Sequence, residues 1–382
     1  MQTRKLYYED PFQKGFASTV VSCEESKGGY AVVLEETAFY PEGGGQPCDV
    51  GTLGSANVLD VREKDGVIIH LCDRPLTAGA SVSGKIDWVR RFDHMQQHSG
   101  EHICSGLICA RFHCDNVGFH MGADTVTIDF NADISWEELL EIEQTANLYI
   151  YEDHPIDIQF HRGAELDKID YRSKKPLEGD VRIVSFPGAD CCACCGTHVV
   201  RSGQVGLVKF LSVQKFRDGV RIEMLAGRRA HRYLSACWEQ DVHVAQALSV
   251  KPTASLAGVE RVLAELSALK LRCARLEESA FAQTAAQYES KGNVLLFEEE
   301  MGGDSLRKLC DAVTKTCGGR CAVFAGAGSA WKYAIGQRGG DLRALTKELN
   351  AALSGRGGGK PEFVQGSVGA EREAIEAFFA EK

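Results

Sequence analysis

Through roughly the first 90 residues the apolar positions come in short β-branched runs, "YAVVLEETAFY" and "DGVIIHLCD", broken by Gly, Pro and Asp. Runs of that length between turn formers predict strands. The intervening "YPEGGGQPCDVG" is too rich in glycine for a regular element, and such backbone can approach another object closely. From Asp93 to Arg111 the period changes. Met95, His98, His102 and Ser105 share one side of a helix, with Ile103, Leu107 and Ile108 nearby. "TVTIDF" predicts a strand. "SWEELLEIEQTANLYIYED" predicts a helix capped by Ser135, with Glu138 completing a capping box. "QVGLVKFLSVQKF" and "GVRIEMLAG" predict paired strands. Helices and strands without a strict βαβ rhythm point to an α+β fold.

The segment 252–292 has another character. One glycine near its start and no proline after its first residue predict a long helix, with Leu256, Val259, Leu263 and Leu266 in a 3-and-4 spacing. About two heptads are too few for a coiled coil, so a linker helix or helical hairpin is expected. Beyond it, "NVLLFEE" and "CAVFAG" predict strands and "DSLRKLCDAVTKTC" and "DLRALTKELNAAL" predict helices, a small α/β unit. "SGRGGGKPE" is expected to be a glycine-rich loop. It is not a P-loop, because the spacing differs and no helix start follows. The divisions predicted are 1–88, a β-barrel-like domain; 89–238, an α+β domain; 239–292, a helical linker; and 293–382, the small α/β domain.

A chain of 382 residues with 44% hydrophobic and 25% charged residues is long enough for two or three domains of ordinary globular composition. No apolar run reaches membrane-spanning length, and the N-terminus carries no signal core, so a cytoplasmic protein with no membrane partner is expected. In that compartment fifteen cysteines are expected as free thiols or metal ligands. Most stand singly among apolar residues, where they read as small buried hydrophobes. The exception is "DCCACCGTH", with four cysteines between 191 and 195. The net charge of −10 argues against a nucleic-acid partner, because phosphate binding wants basic surface, but a local basic face can exist inside an acidic chain.

"HSGEH" places His98 and His102 four apart on a predicted helix, so both rings can point at one ion. "CCGTH" supplies a second pair, Cys194 and His198, at the same spacing. Three imidazoles and a thiolate suit tetrahedral zinc. The cysteine cluster has other readings, since Cys191 with Cys194 and Cys192 with Cys195 are both C-x-x-C pairs, as in a redox dithiol or a separate structural zinc. His-x-x-Glu-His is also a zinc-protease signature in which Glu101 would be the base. A thiolate ligand weakens the Lewis acidity that peptide cleavage needs, which counts against it.

These motifs resemble a known family. "HSGEH" followed by "CCGTH" is similar to the metal signature of the editing domains of alanyl- and threonyl-tRNA synthetases. "TAFYPEGGGQPCDVG" resembles the alanine-type glycine motif. "DHMQQHSGEHICSGL" and "VGFHMGADTVTIDF" resemble the free-standing alanyl-tRNA editing proteins of the AlaX type, and "GRGGGKPEFVQG" resembles the C-terminal (DHHA1) domain of alanyl-tRNA synthetase. The order matches the long AlaX form, with no aminoacylation domain ahead of the barrel. The chain departs from the synthetases at Cys195, where they carry glycine, and at Glu101, where threonine is common.

The resemblance implies a zinc-dependent hydrolase acting in trans on tRNA(Ala) mischarged with serine, and secondarily with glycine. His98, His102, Cys194 and His198 would hold Zn2+. Gly43, Gly44, Gly45 and Gln46 would wall the terminal adenosine or amino acid, Thr37 would read the serine hydroxyl, and Gln97 and Glu101 would position water. Arg221, with Arg90, Arg91, Lys209, Lys215, Arg217, Arg228 and Arg229, would follow RNA phosphates. The C-terminal helix and domain would capture tRNA or form a homodimer. Two alternatives remain open: a non-catalytic tRNA-binding protein with structural zinc, and the His-x-x-Glu-His metalloprotease.

Overall fold

Six N-terminal strands close into a barrel in the computed structural model, which describes residues 2–173 and 179–382. They are β1 (Gly15–Ser26), β2 (Gly29–Leu34), β3 (Gly51–Leu53), β4 (Ala56–Lys64), β5 (Val67–Cys72) and β6 (Ser81–Ile86), in the order β1-β2-β5-β4-β3-β6. Strict alternation produces the closure: in β6 every second side chain is buried and the others face solvent. Val20, Val32, Leu34, Leu53, Val61 and Ile68 fill the interior.

Helix α1 (Trp88–Phe112) follows directly. It begins five residues ahead of the apolar periodicity, because capping rather than packing starts it. The Asp87 carboxylate accepts the Arg90 backbone N–H at 3.1 Å. One turn in, the fully buried Arg91 guanidinium pairs with Asp49 and donates to the carbonyls of Ala38 (2.6 Å) and Pro11 (3.0 Å). That pair ties the loop after the barrel's first hairpin to the root of α1. A buried pair of this kind is costly to break from one side, about 3–5 kcal/mol.

The rest of the first unit, 1–241, is α+β. β7 (Asn116–Met121), β8 (Val126–Phe130), β12 (Val208–Phe216) and β13 (Gly219–Ala226) form an antiparallel sheet in the order β12-β13-β8-β7. Helix α1 and helix α2 (Trp136–Tyr151) share one core with this sheet, built from Met95, Ile103, Ile108, Leu139, Ile142, Ile128 and Met224 among others. The capping box of Ser135 and Glu138 is present at the start of α2. A second sheet joins β9 (Asp157–Arg162), β10 (Asp180–Phe186) and the short β11 (Asp190–Ala193), which carries the start of the cysteine cluster. Helix α3 (Gly227–Ala247) leaves from β13.

The second unit, 242–382, takes in the end of α3 and then α4 (Ser255–Gln287), a helix of 33 residues. A five-stranded sheet follows: β14 (Gly292–Glu298), β15 (Gly318–Ala327), β16 (Ala330–Gln337), β17 (Arg356–Lys360) and β18 (Phe363–Val368), in the order β14-β15-β16-β18-β17. Helices α5 (Gly303–Thr314), α6 (Arg343–Ala352) and α7 (Arg372–Ala380) accompany it. The expected glycine loop at 354–362 is instead largely strand β17. Its glycines serve close approach: a β-carbon on Gly357 would stand 2.2 Å from the Tyr333 hydroxyl. The chain is therefore mixed α+β with several sheets. Among the described residues no helix is long and apolar enough to cross a membrane.

Candidate metal centre

Helix α1 turns His98, Glu101 and His102 toward the loop that follows β11. The spacing of four residues stacks the two imidazoles on one side of the helix, 5.2 Å apart. The loop returns Cys194 and His198 to the same place. The ligand-type atoms of His98, His102, Cys194 and His198 all lie within 4.8 Å of one another. Cys194 Sγ is 3.5 Å from His98 Nε2 and 3.4 Å from His198 Nε2. A zinc ion with ordinary Zn–N and Zn–S bonds needs ligand–ligand edges of about 3.3–3.6 Å, so these donors fit a tetrahedral ion.

Each imidazole is oriented by a partner behind it. His102 Nδ1 donates to Asp190 Oδ2 at 2.8 Å, His98 Nδ1 donates to Gln46 Oε1 at 2.8 Å, and His198 Nδ1 lies 3.2 Å from Ser99 Oγ. With Nδ1 protonated, all three rings present an Nε2 lone pair inward. Asp190 is held in turn by two bonds from Arg172 (2.7 and 2.8 Å). Phe119 stacks on His98 at 5.0 Å and Phe186 on His102 at 5.4 Å, which fixes the ring planes.

The loop carrying Cys194 is clamped from outside. Arg182 donates to the carbonyls of Cys194 (2.7 Å) and Gly196 (3.0 Å), and the Tyr8 hydroxyl donates to the Cys195 carbonyl at 3.2 Å. Gly196 N–H points at the Cys194 sulfur, 3.3 Å away. No other residue fits at 196, because a β-carbon there would be 2.2 Å from the His98 ring.

Electrostatics agree with ligation. Burial alone would raise the Cys194 thiol, but the encircling His98, His198 and His102 hold it well below its usual range. Burial drives His198 down to about 3, so its ring is neutral. Burial opposes charge on His102 as well, yet the Cys194 thiolate and Asp190 push it well above its ordinary value. A thiolate held among three imidazoles in this way is a setting that a cation can complete. Cys192 differs: burial pushes it up to about 11. Cys195 is exposed and Cys191 partly so.

The remaining expected site residues are placed as follows. Glu101 is buried beside the cluster: its Oε1 accepts from Ser105 Oγ and Asn116 Nδ2 (2.6 Å each), and its Oε2 lies 4.0 Å from His102 Nε2. Gly43–Gln46 make a tight turn closed by two backbone bonds, with Gly44 and Gly45 at positive φ. The Gln46 amide leaves that turn to join both halves of the centre, accepting from His98 and from the Thr197 N–H (3.2 Å) while donating to Thr197 Oγ1 (2.8 Å). Gln97 faces away: both ends of its amide bond the Ala226 backbone at 2.8 Å. The Thr37 hydroxyl lies against His70 Nε2 (2.9 Å) and accepts from Phe39 N (3.1 Å), and none of its bonds reaches the cluster. Arg221 is bound through both nitrogens to Asp129 and lies over Phe216. Sequence reasoning did not single out Asp190, Ser99, Arg172, Thr197 or Asn116. Asp190, Ser99 and Thr197 lay inside the quoted motifs "DCCACCGTH" and "HSGEH" without being assigned a role; Arg172 and Asn116 lay outside them.

Comparison with known proteins follows the same residues. The profile of the family "Threonyl and Alanyl tRNA synthetase second additional domain" matches 181–223, and that of "tRNA synthetases class II (A)" matches 8–90. The alanine–tRNA ligase of Pyrococcus abyssi is 32% identical over 98% of this chain and 43% of its own length. That of Ignicoccus hospitalis is 33% identical over 70% of this chain and 31% of its own. That of Methanobrevibacter smithii is 36% identical over 60% and 27%. The chain spans less than half the length of the curated relatives it matches.

Proposed function

We propose that this AlaX-like chain, a relative of the alanyl-tRNA synthetases, is an editing hydrolase that acts in trans on tRNA(Ala) mischarged with serine, and secondarily with glycine. The observation that carries the reading is the cluster of His98, His102, Cys194 and His198, half of it inside the segment that matches the synthetases' second additional domain. Editing has a physical motive. A site for alanine cannot strongly reject one fewer methyl or one added hydroxyl, a difference worth about 1–3 kcal/mol, so a second hydrolytic site is required. That site spares alanine by leaving polar groups unpaired when the serine hydroxyl is missing.

Zinc, when bound, supplies positive charge against the ester carbonyl. Glu101 is suited to the proton. Ser105 and Asn116 hold one carboxylate oxygen and leave the other facing the cluster. Water attacks the carbonyl carbon, its proton passes to Glu101, and the ribose oxygen takes a proton as the C–O bond breaks. The turn 43–46 would wall the substrate. The C-terminal unit would capture tRNA or pair two copies, and the cytoplasm would be the setting.

Four protein ligands also describe a closed structural zinc, which favours the second reading, a tRNA-binding protein without catalysis. Incubation with seryl-, glycyl- and alanyl-tRNA(Ala), alongside a peptide, separates the readings. Rapid ester loss from seryl-tRNA with alanyl-tRNA spared supports editing. Binding without ester loss leaves the structural role, and peptide cleavage would establish the protease.

A further inference from the structure

Eight cations were candidates for RNA contact, and the fold sorts them. Arg91 is buried on Asp49 and Arg229 on Asp93, while the more exposed Arg221 and Lys209 are paired with Asp129 and Glu143. Arg90 and Arg228 have no carboxylate partner among the described residues, and neither has Arg232 one turn further along α3. These three line one groove of about 440 Å³ in the first unit, together with His94, Pro47, Asp87 and Asp93. Four arginines face two aspartates there, and Arg229 already neutralises Asp93, in a chain whose net charge is −10.

Three further observations point to an anion. The first turn of α1 and the first turn of α3 both contribute to the walls, so two helices bring their positive ends to one place. His94 is only 3% exposed, lines the groove, and has no hydrogen-bond partner for Nδ1. A buried polar atom left unpaired is costly unless a ligand or water completes it. Burial and the flanking Arg90 and Arg229 drive that imidazole down to about 3, so it stays neutral. The groove also adjoins the metal centre through two chain links. His94 is one helical turn, about 6 Å, before His98. Pro47 follows Gln46, whose amide bonds His98.

We propose that this groove binds backbone phosphates of the single-stranded 3′ end of the acylated RNA, with Arg228 and Arg232 as phosphate contacts, Arg90 beside them, and His94 hydrogen-bonding the strand. The assignment rests on the editing reading for its choice of ligand. A single strand is required, because a strand leading its terminal ester to His98 must pass one helical turn away.

The test uses the full chain and a short unacylated RNA ending in CCA, with affinity followed by fluorescence anisotropy over a range of salt. The doubly substituted R228A/R232A is expected to bind more weakly and to flatten the slope of log affinity against log salt by about 1.4, about 0.7 for each phosphate that no longer meets a cation. R228K/R232K should keep the wild-type slope. Arg111→Ala, which removes a surface cation paired with Glu141 elsewhere, should match the wild type. Both groove side chains are exposed, so thermal midpoints should not move. An unchanged slope in R228A/R232A overturns the proposal, and so does displacement of the RNA by equimolar inorganic phosphate, which would make this a small-anion site. The RNA carries no ester, so failure of hydrolysis in the deacylation assay leaves this result intact.

Discussion

Four cysteines stand between 191 and 195, and geometry separates one from the rest. Only Cys194 joins the three imidazoles, and only it is held well below the usual thiol range. Cys194→Ala should therefore lose zinc and deacylation together, while Cys195→Ala keeps both; metal content of the purified variants checks this. Asp190→Asn should weaken zinc binding about 10–100-fold, as read by competition with a chelator, because it loosens His102 without removing a ligand. The four donors were legible in the sequence because a spacing of four has the same meaning on any helix or tight loop. Asp190 and Ser99 were not, and Gln46 was named only as part of the substrate wall, since the three meet their imidazoles across 88, 99 and 52 residues of chain. Thr37 shows the reverse. Its hydroxyl looked available, but His70 claims it: Nδ1 of His70 donates to the Val32 carbonyl, so Nε2 must accept the Thr37 proton. Burial lowers His70 to about 4. The unfolded chain binds a proton near pH 6.5 and the folded chain does not, so stability is full above 6.5 and falls as pH drops toward 4. The loss attributable to His70 is roughly 3 kcal/mol. Urea midpoints at pH 7 and pH 5 should differ less in His70→Gln than in the wild type.

At the scale of elements, periodicity located the helices well and their ends less well. The root of α1 escaped notice because Asp87 and Arg91 define it, and neither belongs to an apolar stripe. Glycine normally weakens strands, so the run at 354–362 predicts a loop; strand β17 forms because the space beside Tyr333 requires glycine at 357. Helix α4 came closest to expectation, and it carries an unusual surface. Of its 33 residues only Gly258, Phe281 and Ala285 are buried, while Leu256, Val259, Leu263, Leu266 and Leu269 are exposed. A stripe of that size favours association. Leu263→Glu should shift the protein toward monomer in sedimentation equilibrium and leave its zinc content unchanged. A wild type that is already monomeric at high concentration would defeat this expectation.

At the scale of the molecule, the centre draws together parts of the chain that sequence keeps far apart. His98 and Cys194 are separated by 96 positions. An ion joining them restrains the unfolded chain much as a cross-link would, roughly 4–5 kcal/mol for a loop near that length. Stripping the metal with a chelator should lower the thermal midpoint by several degrees, and adding zinc back should restore it. The same separation has a meaning in time. Chains are synthesised at about 5–20 residues per second, so His102 waits roughly 5–20 s for Cys194 and His198 to be made. The Gln46 amide, which bonds His98 and Thr197, can take its place only after both have arrived. Barrel and helix α1 are thus already synthesised when the last donor appears, and any ion the centre holds enters a frame whose older half has been waiting for it.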